Sequence, residues 1–176
     1  MRRLLIRTVG PERAAQIGDQ MSVDELVDVI KILPEHEAAE VLALIQKNKA
    51  SQVKKFLPYK DRTAGGLMSS EYVSCPPDWQ VSQALAEIKN VSESHRWINY
   101  VYVIDRLGIY RGVVSLRRLI VSEPAILLKN IMKKARQMPV LNTHEPLEEI
   151  ADILTKYNLN AAAVVDEDNK MLGVVT

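Results

Sequence analysis

From residue 12 to residue 60 the apolar residues recur at helical spacing; after Glu71 they fall into short strand runs alternating with helices. In SVDELVDVI, residues Val23, Leu26, Val27 and Ile30 form the i, i+3, i+4, i+7 stripe of an amphipathic helix. Ser22, with Glu25 three residues on, makes a capping box at its start. Leu33-Pro34 ends the pattern. Pro34 suits the first position of a following helix, where Glu35 and Glu37 favour the positive end of the helix dipole. Ala38, Val41, Leu42 and Ile45 give a second stripe, and Phe56-Leu57-Pro58 marks another stop. The pattern predicts a helix–break–helix array with a thin core, one that needs a further surface to pack on.

Beyond Glu71, YVSC reads as a strand closed by Pro76-Pro77. WQVSQALAEIKN follows as a helix with Val81, Ala84, Leu85 and Ile88 on one face. YVYVID and YRGVVS are strands joined by a hairpin-sized turn through Gly108, and SLRRLIV is helical. The order is β-α-β-β-α. It starts again with the strand MPVLN and the helix PLEEIADILTKY, whose Leu147, Ile150, Ala151 and Leu154 share a face. AAAVVDEDNKMLGVVT then forms two strands around a polar turn. The hairpins YVYVIDRLGIYRGVVS and AAAVVDEDNKMLGVVT align without gaps, with Asp105 on Asp166, Gly112 on Gly173, Val114 on Val175 and Ser115 on Thr176. The offset of about 61 residues fits a duplicated βαββα unit rather than a solenoid repeat.

Composition narrows the function classes. The 176 residues suit one large domain or two to three small ones, and 47% apolar with 26% charged residues allow a sizeable core. A net charge of +1 gives no general attraction to nucleic acid, so none is expected as a partner. The single cysteine, Cys75, excludes an internal disulfide framework and points to a reducing setting. The apolar stretch in MRRLLIRTVG is too short for a signal peptide, and no apolar run is long enough to span a membrane. Charge is uneven: residues 19–40 and 145–168 are acidic, and 111–136 are mostly basic. The acidic runs are either ordinary solvated helix faces or two surfaces that meet only when cations screen them. Gly65-Gly66 lacks the Lys-Ser/Thr of a P-loop and reads as a turn. His36, His95 and His144 show no metal spacing, and no nucleophile elbow or zinc motif is present, so an enzyme is not expected. Trp79 and Trp97 read as packing residues.

The duplicated hairpin, with its V-I-D or V-V-D turn and G-V-V-[ST] ending, resembles the CBS-domain family, whose hairpins carry a V-V-D turn and whose modules usually occur in pairs. A narrower likeness lies in DRTAGGLMSSEYVSC. Asp61, Ala64, Gly65, Leu67, Met68, Glu71, Tyr72 and Val73 match the signature joining the helical N domain to the first CBS module of MgtE-type magnesium channels. LPEHEAAEVLALI is similar to that family's N-domain repeats. The resemblance implies an α+β fold: a small all-α helical N domain (1–62), then a tandem CBS pair of βαββα modules (63–125 and 126–176). The second module would lack its last helix, which falls past Thr176. It further implies a cytosolic magnesium sensor at the membrane's cytoplasmic face, a homodimer through the CBS modules, and a transmembrane pore domain outside this chain.

Magnesium needs about six oxygen ligands and keeps several waters, so one or two carboxylates suffice. Asp24 and Asp28, at i and i+4, lie on one helix face away from the apolar stripe; a solvated face with Lys31 near Asp28 is the plainer reading. The resemblance makes this aspartate pair meet the second CBS module through Mg2+. On the module it implies Glu148 and Asn158 as ligands. Asn158 replaces the family's Asp, which keeps a carbonyl oxygen but loses a charge; Glu149 and Asp152 are neighbours able to compensate. A nucleotide reading, ATP or AMP, is weaker. The family's [ST]-x-x-[DN] site reads Ser115-Leu116-Arg117-Arg118 here, and Arg118 cannot accept a ribose diol's hydrogen bonds. Backbone at Tyr102, Leu159 and Ala161 remains to meet an adenine edge. An adenine-nucleotide-binding CBS module of a soluble protein is the alternative function.

Overall fold

The computed structural model describes residues 2–91, residue 95 and residues 98–176; Trp97 lies outside the described residues. The chain divides into two compact units, Met1–Lys60 and Asp61–Thr176. In the first, α1 (Arg2–Gln20) is broken at Gly10, where φ of +76° and ψ of 163° leave the helical region, and Pro11 restarts the helix. α2 (Val23–Ile32) begins with the expected capping box, Ser22 and Glu25 exchanging hydrogen bonds of 3.3 Å each. α3 (Glu35–Leu44) follows Pro34, which stands one place earlier than expected, at the N-cap. α4 (Lys47–Phe56) completes the array. The core unites Ala14 and Ala15 of α1 with Val23, Leu26, Val27, Val29 and Ile30 of α2, together with Val41, Ile45 and Val53. The helix before residue 12 and the contribution of α4 were not foreseen from the stripes. Polar ties close the ends. Asp19 Oδ1 accepts the Gln46 amide at 3.1 Å, Lys49 Nζ donates to the carbonyls of Asp19 (2.8 Å) and Met21, and Lys31 Nζ donates to Tyr59 O at 2.7 Å.

The second unit holds two sheets. α5 (Ala64–Leu67), β1 (Val73–Cys75), α6 (Val81–Val91), β2 (Tyr100–Ile104), β3 (Tyr110–Ser115) and α7 (Leu116–Val121) come first. α8 (Leu128–Ile131), β4 (Lys133–Lys134), β5 (Val140–Asn142), α9 (Leu147–Lys156), β6 (Ala162–Val165) and β7 (Met171–Val175) follow. The sheets run β1-β2-β3-β4 and β5-β6-β7, each with one parallel pair and one antiparallel hairpin. The expected βαββα order is present; α5, α8 and the short β4 are additions. Gly65-Gly66 lie within the single helical turn of α5 rather than in an open turn.

The duplication holds at the level of single hydrogen bonds. Asp105 Oδ1 accepts the Leu107 and Ile109 amides at 2.9 and 3.0 Å; Asp166 Oδ1 accepts those of Asp168 and Lys170 at 3.0 and 2.8 Å. Gly108 and Asn169 take equivalent left-handed positions, φ +82° and +59°, suited to glycine and asparagine. A bulge sits at Val103/Ile104 in one hairpin and Val164/Val165 in the other. The two turns also bond to each other across the local two-fold: Tyr110 N to Asn169 O at 2.9 Å and Met171 N to Gly108 O at 3.1 Å, about the bridge Ile109–Lys170.

The segments leading into each module are exchanged. β4, which precedes the second sheet, pairs with Gly112 and Val113 of the first. Ser69, which precedes β1 of the first sheet, pairs with Val174 of the second through bonds of 2.8 and 3.0 Å. Ala64 N reaches Glu145 O at 2.8 Å, and Leu128 N reaches Trp79 O at 2.8 Å. Leu147 N donates to Arg62 O at 3.0 Å, and Val81 N donates to Ile126 O at 2.9 Å. The signature Asp61–Val73 was expected to lead into the first module. In the structure its first half docks on the second. Met68 and Leu128, 1% and 0% exposed, anchor the two leaders. Trp79 packs against the first module's core, as expected. Cys75 is buried there, the pKa of its thiol pushed up to about 12 by burial and by Glu87, which disfavours the thiolate.

The exchange explains the glycines of the G-V-V motif. A Cβ at Gly112 would lie 2.2 Å from Lys133 O, and one at Gly173 would lie 2.8 Å from Ser69 O. Gly112→Ala and Gly173→Ala are each expected to lower unfolding free energy by about 1–3 kcal/mol in urea denaturation, Gly112→Ala the more. Asp105 adds a pH dependence. Burial opposes its charge, but Arg111, at 2.5 and 2.8 Å, and the Ile109 and Leu107 amides outweigh burial and hold the carboxyl below its usual value. With a folded value below the unfolded one, this contribution is complete above the unfolded value and is lost as pH falls through the folded one. Asp105→Asn should therefore flatten the acid limb of stability against pH, measured by urea midpoints from pH 7 down to pH 2.5.

Candidate functional site

Asp24 and Asp28 occupy successive turns of α2, Asp24 half-buried and Asp28 exposed. Their side chains share a face one turn apart, as the spacing requires. Lys31 directs its ammonium to the carbonyl of Tyr59. In the second unit Glu148 stands in the first turn of α9, beside Glu149. The backbone amide at this helix start favours its charge, and Arg62 adds to it, so the carboxyl is held below the usual range. Arg62 Nη2 is 2.6 Å from Glu148 Oε1. Asp152 is exposed one turn further on.

Asn158 lies at the other end of the helix. After the cap residue Tyr157 it adopts φ +49°; its amide donates to Thr155 O at 3.1 Å and the Leu159 amide to Leu154 O at 2.9 Å. This is the Schellman closure, where glycine or asparagine follows the helix, so the amide at 158 has a backbone reason. Ten positions separate Glu148 and Asn158, about 15 Å at the helical rise. Oxygens on one magnesium ion, each 2.0–2.1 Å from it, cannot span that distance. Glu148, Glu149 and Asp152 form the acidic face of α9, with Asn158 apart from it. Among the described residues no three His, Cys, Asp or Glu side chains gather into a closed metal cage. Each carboxylate group present suits an ion that keeps most of its waters.

The inner faces of the two sheets meet through Tyr102, Tyr110, Val113, Ala163, Val165, Met171 and Val174. Two narrow clefts open beside Tyr102, each with room for about one water, both lined by Tyr100, Tyr102 and Ala161. One of them also reaches Glu71, Asn99 and Thr176. Tyr102 is 4% exposed, and among the described residues its hydroxyl has no hydrogen-bond partner. Burial, with Tyr110 and Tyr100 beside it, raises its pKa, so it is a neutral donor. Of the nucleotide residues expected, Tyr102 and Ala161 line these clefts. Leu159 is half-buried at the Schellman closure. Ser115 caps α7 by accepting the Arg118 amide at 3.3 Å, and Arg118 is exposed. The aromatic wall of Tyr72, Tyr100 and Tyr110 around Tyr102 was missed, although the alternation Tyr100, Tyr102 in a strand places both on one face. The Arg62 contact had no local signal at all.

Comparison with known proteins matches residues 1–62 to the MgtE intracellular N domain and residues 64–123 and 128–176 to the CBS domain. The chain is 30% identical over 158 residues to the magnesium transporter MgtE of Thermus thermophilus, covering 88% of this chain and 35% of that protein. It is 35% identical over 130 residues to the magnesium transporter MgtE of Enterococcus faecalis, covering 73% and 28%. The chain thus spans about a third of the length of the curated relatives it matches. A crystal structure of the cytosolic domain of the Mg2+ channel MgtE in complex with ATP superposes with a TM-score of 0.89 at 30% identity, over 97% of this chain and 69% of that one. The α+β architecture, a helical region followed by a CBS pair, agrees with these relatives. The chain belongs to the MgtE family, as an MgtE intracellular N domain followed by CBS domains.

Proposed function

We propose that this chain is the magnesium-sensing regulatory region of an MgtE-type magnesium channel or transporter, regulatory rather than catalytic, with 1–62 as the N domain and 63–125 and 126–176 as the CBS modules. It works at the cytoplasmic face of the membrane, as a homodimer through the CBS modules, beside a transmembrane pore domain that these residues do not include. The observation that carries the reading is the match over both units to the cytosolic domain of the Mg2+ channel MgtE. Among the described residues no helix is long and apolar enough to cross a membrane, which accords with a role outside the pore.

The physical basis is carboxylate repulsion. Asp24 and Asp28 on one unit, and Glu148 with Glu149 and Asp152 on the other, repel when bare and attract through a shared hydrated Mg2+. Asn158 serves a separate, weaker contact through its carbonyl oxygen. Such ions close the units and, by binding the closed state better, bias the gate. Small-angle scattering of the chain with and without millimolar MgCl2 tests this. The radius of gyration should fall with magnesium, and Asp24→Asn with Asp28→Asn should abolish the fall; a radius that ignores magnesium in the unaltered chain contradicts the switch.

A second reading has its own support. The orphaned Tyr102 hydroxyl between the sheets fits a ligand's acceptor, and a relative of known structure holds ATP. An adenine edge at Tyr102 and Ala161, with Leu159, Ser115 and Arg118 further out, makes an adenine-nucleotide-responsive CBS module. Calorimetry with ATP and with AMP decides it. Binding should weaken at least about threefold in Tyr102→Phe, while the melting temperature does not fall, because an unsatisfied buried hydroxyl has been removed.

A further inference from the structure

Arg62 engages one of the carboxylates assigned above to magnesium. Its guanidinium lies 2.6 Å from Glu148 Oε1, and both side chains are about 70% exposed. The arginine is held there by its backbone as well. It has φ of +62°, which a bulky residue adopts only where its surroundings impose it. Its carbonyl accepts the amide of Leu147, the residue just before Glu148. The cation comes from the exchanged leader, 86 positions away in the chain, and not from the second module itself. Next to it, Thr63 bridges to Pro146 and the Ala64 amide reaches Glu145 O. The leader and the first turn of α9 are therefore one joint, with the ion pair on its outer side.

We propose that Arg62 is a built-in competitor for the divalent cation at Glu148, a guanidinium latch that magnesium must displace. The proposal rests on the reading of Glu148 as a magnesium-binding carboxylate. Guanidinium and metal use the same carboxylate oxygen, so the two states exclude each other at Oε1. A pair this exposed is weak enough to exchange for a hydrated divalent ion. Without magnesium, Arg62 neutralises one charge of the acidic face of α9 and ties the leader to the helix. With magnesium, the side chain leaves and the joint keeps only its main-chain bonds. The latch raises the magnesium concentration at which Glu148 fills and couples that filling to the segment that continues directly from the N domain.

Titration calorimetry with MgCl2 at constant ionic strength, on the full 176-residue chain, separates the latch from the site it guards. Glu148→Gln should weaken binding. Arg62→Ala should tighten it about two- to fivefold, and should do nothing in the Glu148→Gln background. Lys129→Ala, which removes an exposed positive charge from α8, packed on the first sheet's core, should leave it unchanged. Hydrogen exchange at the Leu147 and Ala64 amides should quicken with magnesium in the unaltered chain and be fast and magnesium-independent in Arg62→Ala. If Glu148→Gln weakens binding but Arg62→Ala does not tighten it, or if Lys129→Ala tightens it equally, the latch is overturned and Glu148 stands as a ligand. If Glu148→Gln binds as the unaltered chain does, both fall.

Discussion

Two main-chain carbonyls, Lys133 O and Ser69 O, press so closely on Gly112 and Gly173 that a methyl group does not fit between them. That contact is where each module's leader strand crosses to its partner, and the rest of the second unit depends on it. It adds a fourth strand to the first sheet and bridges the edge of the second, and it covers strand edges that would otherwise be open. It also buries Met68 and Leu128, which anchor the leaders. Neither sheet is complete without residues from the other's leader, and Asp61–Thr176 form one compact unit.

The exchange bears on the proposed function. The polypeptide leaving the helical unit passes first over the second module, against α9, before it enters the first. Arg62 bonds to Leu147 and Glu148, Ala64 bonds to Glu145, and Thr63 lies opposite Pro146 between them. The acidic first turn of α9 is thus chemically joined to the segment that leads from the N domain. On the proposed reading, an ion held there would act on a joint, not on a remote surface. The carboxylates themselves are exposed and partly neutralised, which suits a reversible sensor rather than a permanent metal centre.

Much of this was legible in the chain. Local rules identified the capped helix α2 with its buried stripe, the duplicated hairpin and its aspartate turns, because hydrophobic period and turn chemistry act over a few residues. The pairing of the leaders was not legible. It joins Ser69 to Val174 and Lys133 to Val113, long-range contacts with no local pattern. Gly112 and Gly173 were visible as a motif, but their reason needed the strand lying above them. The helix before residue 12 was hidden by Gly10-Pro11, which reads as a stop and acts as a kink. At the candidate sites, the i, i+4 pair Asp24 and Asp28 followed from helical geometry alone. The distance between Glu148 and Asn158 followed only once α9 was seen to run from Leu147 to Lys156. Arg62 was invisible because its partner is distant in sequence.

The central claim is that magnesium acts through the carboxylates of α2 and the acidic turn of α9. Manganese prefers the same carboxylate and water ligands and is paramagnetic. The most direct measurement is therefore the broadening of backbone amide signals by trace Mn2+, reversed by excess Mg2+. The account predicts selective broadening around Asp24–Asp28 and Glu148–Asp152. Broadening confined to other surfaces, or none that magnesium reverses, would contradict it.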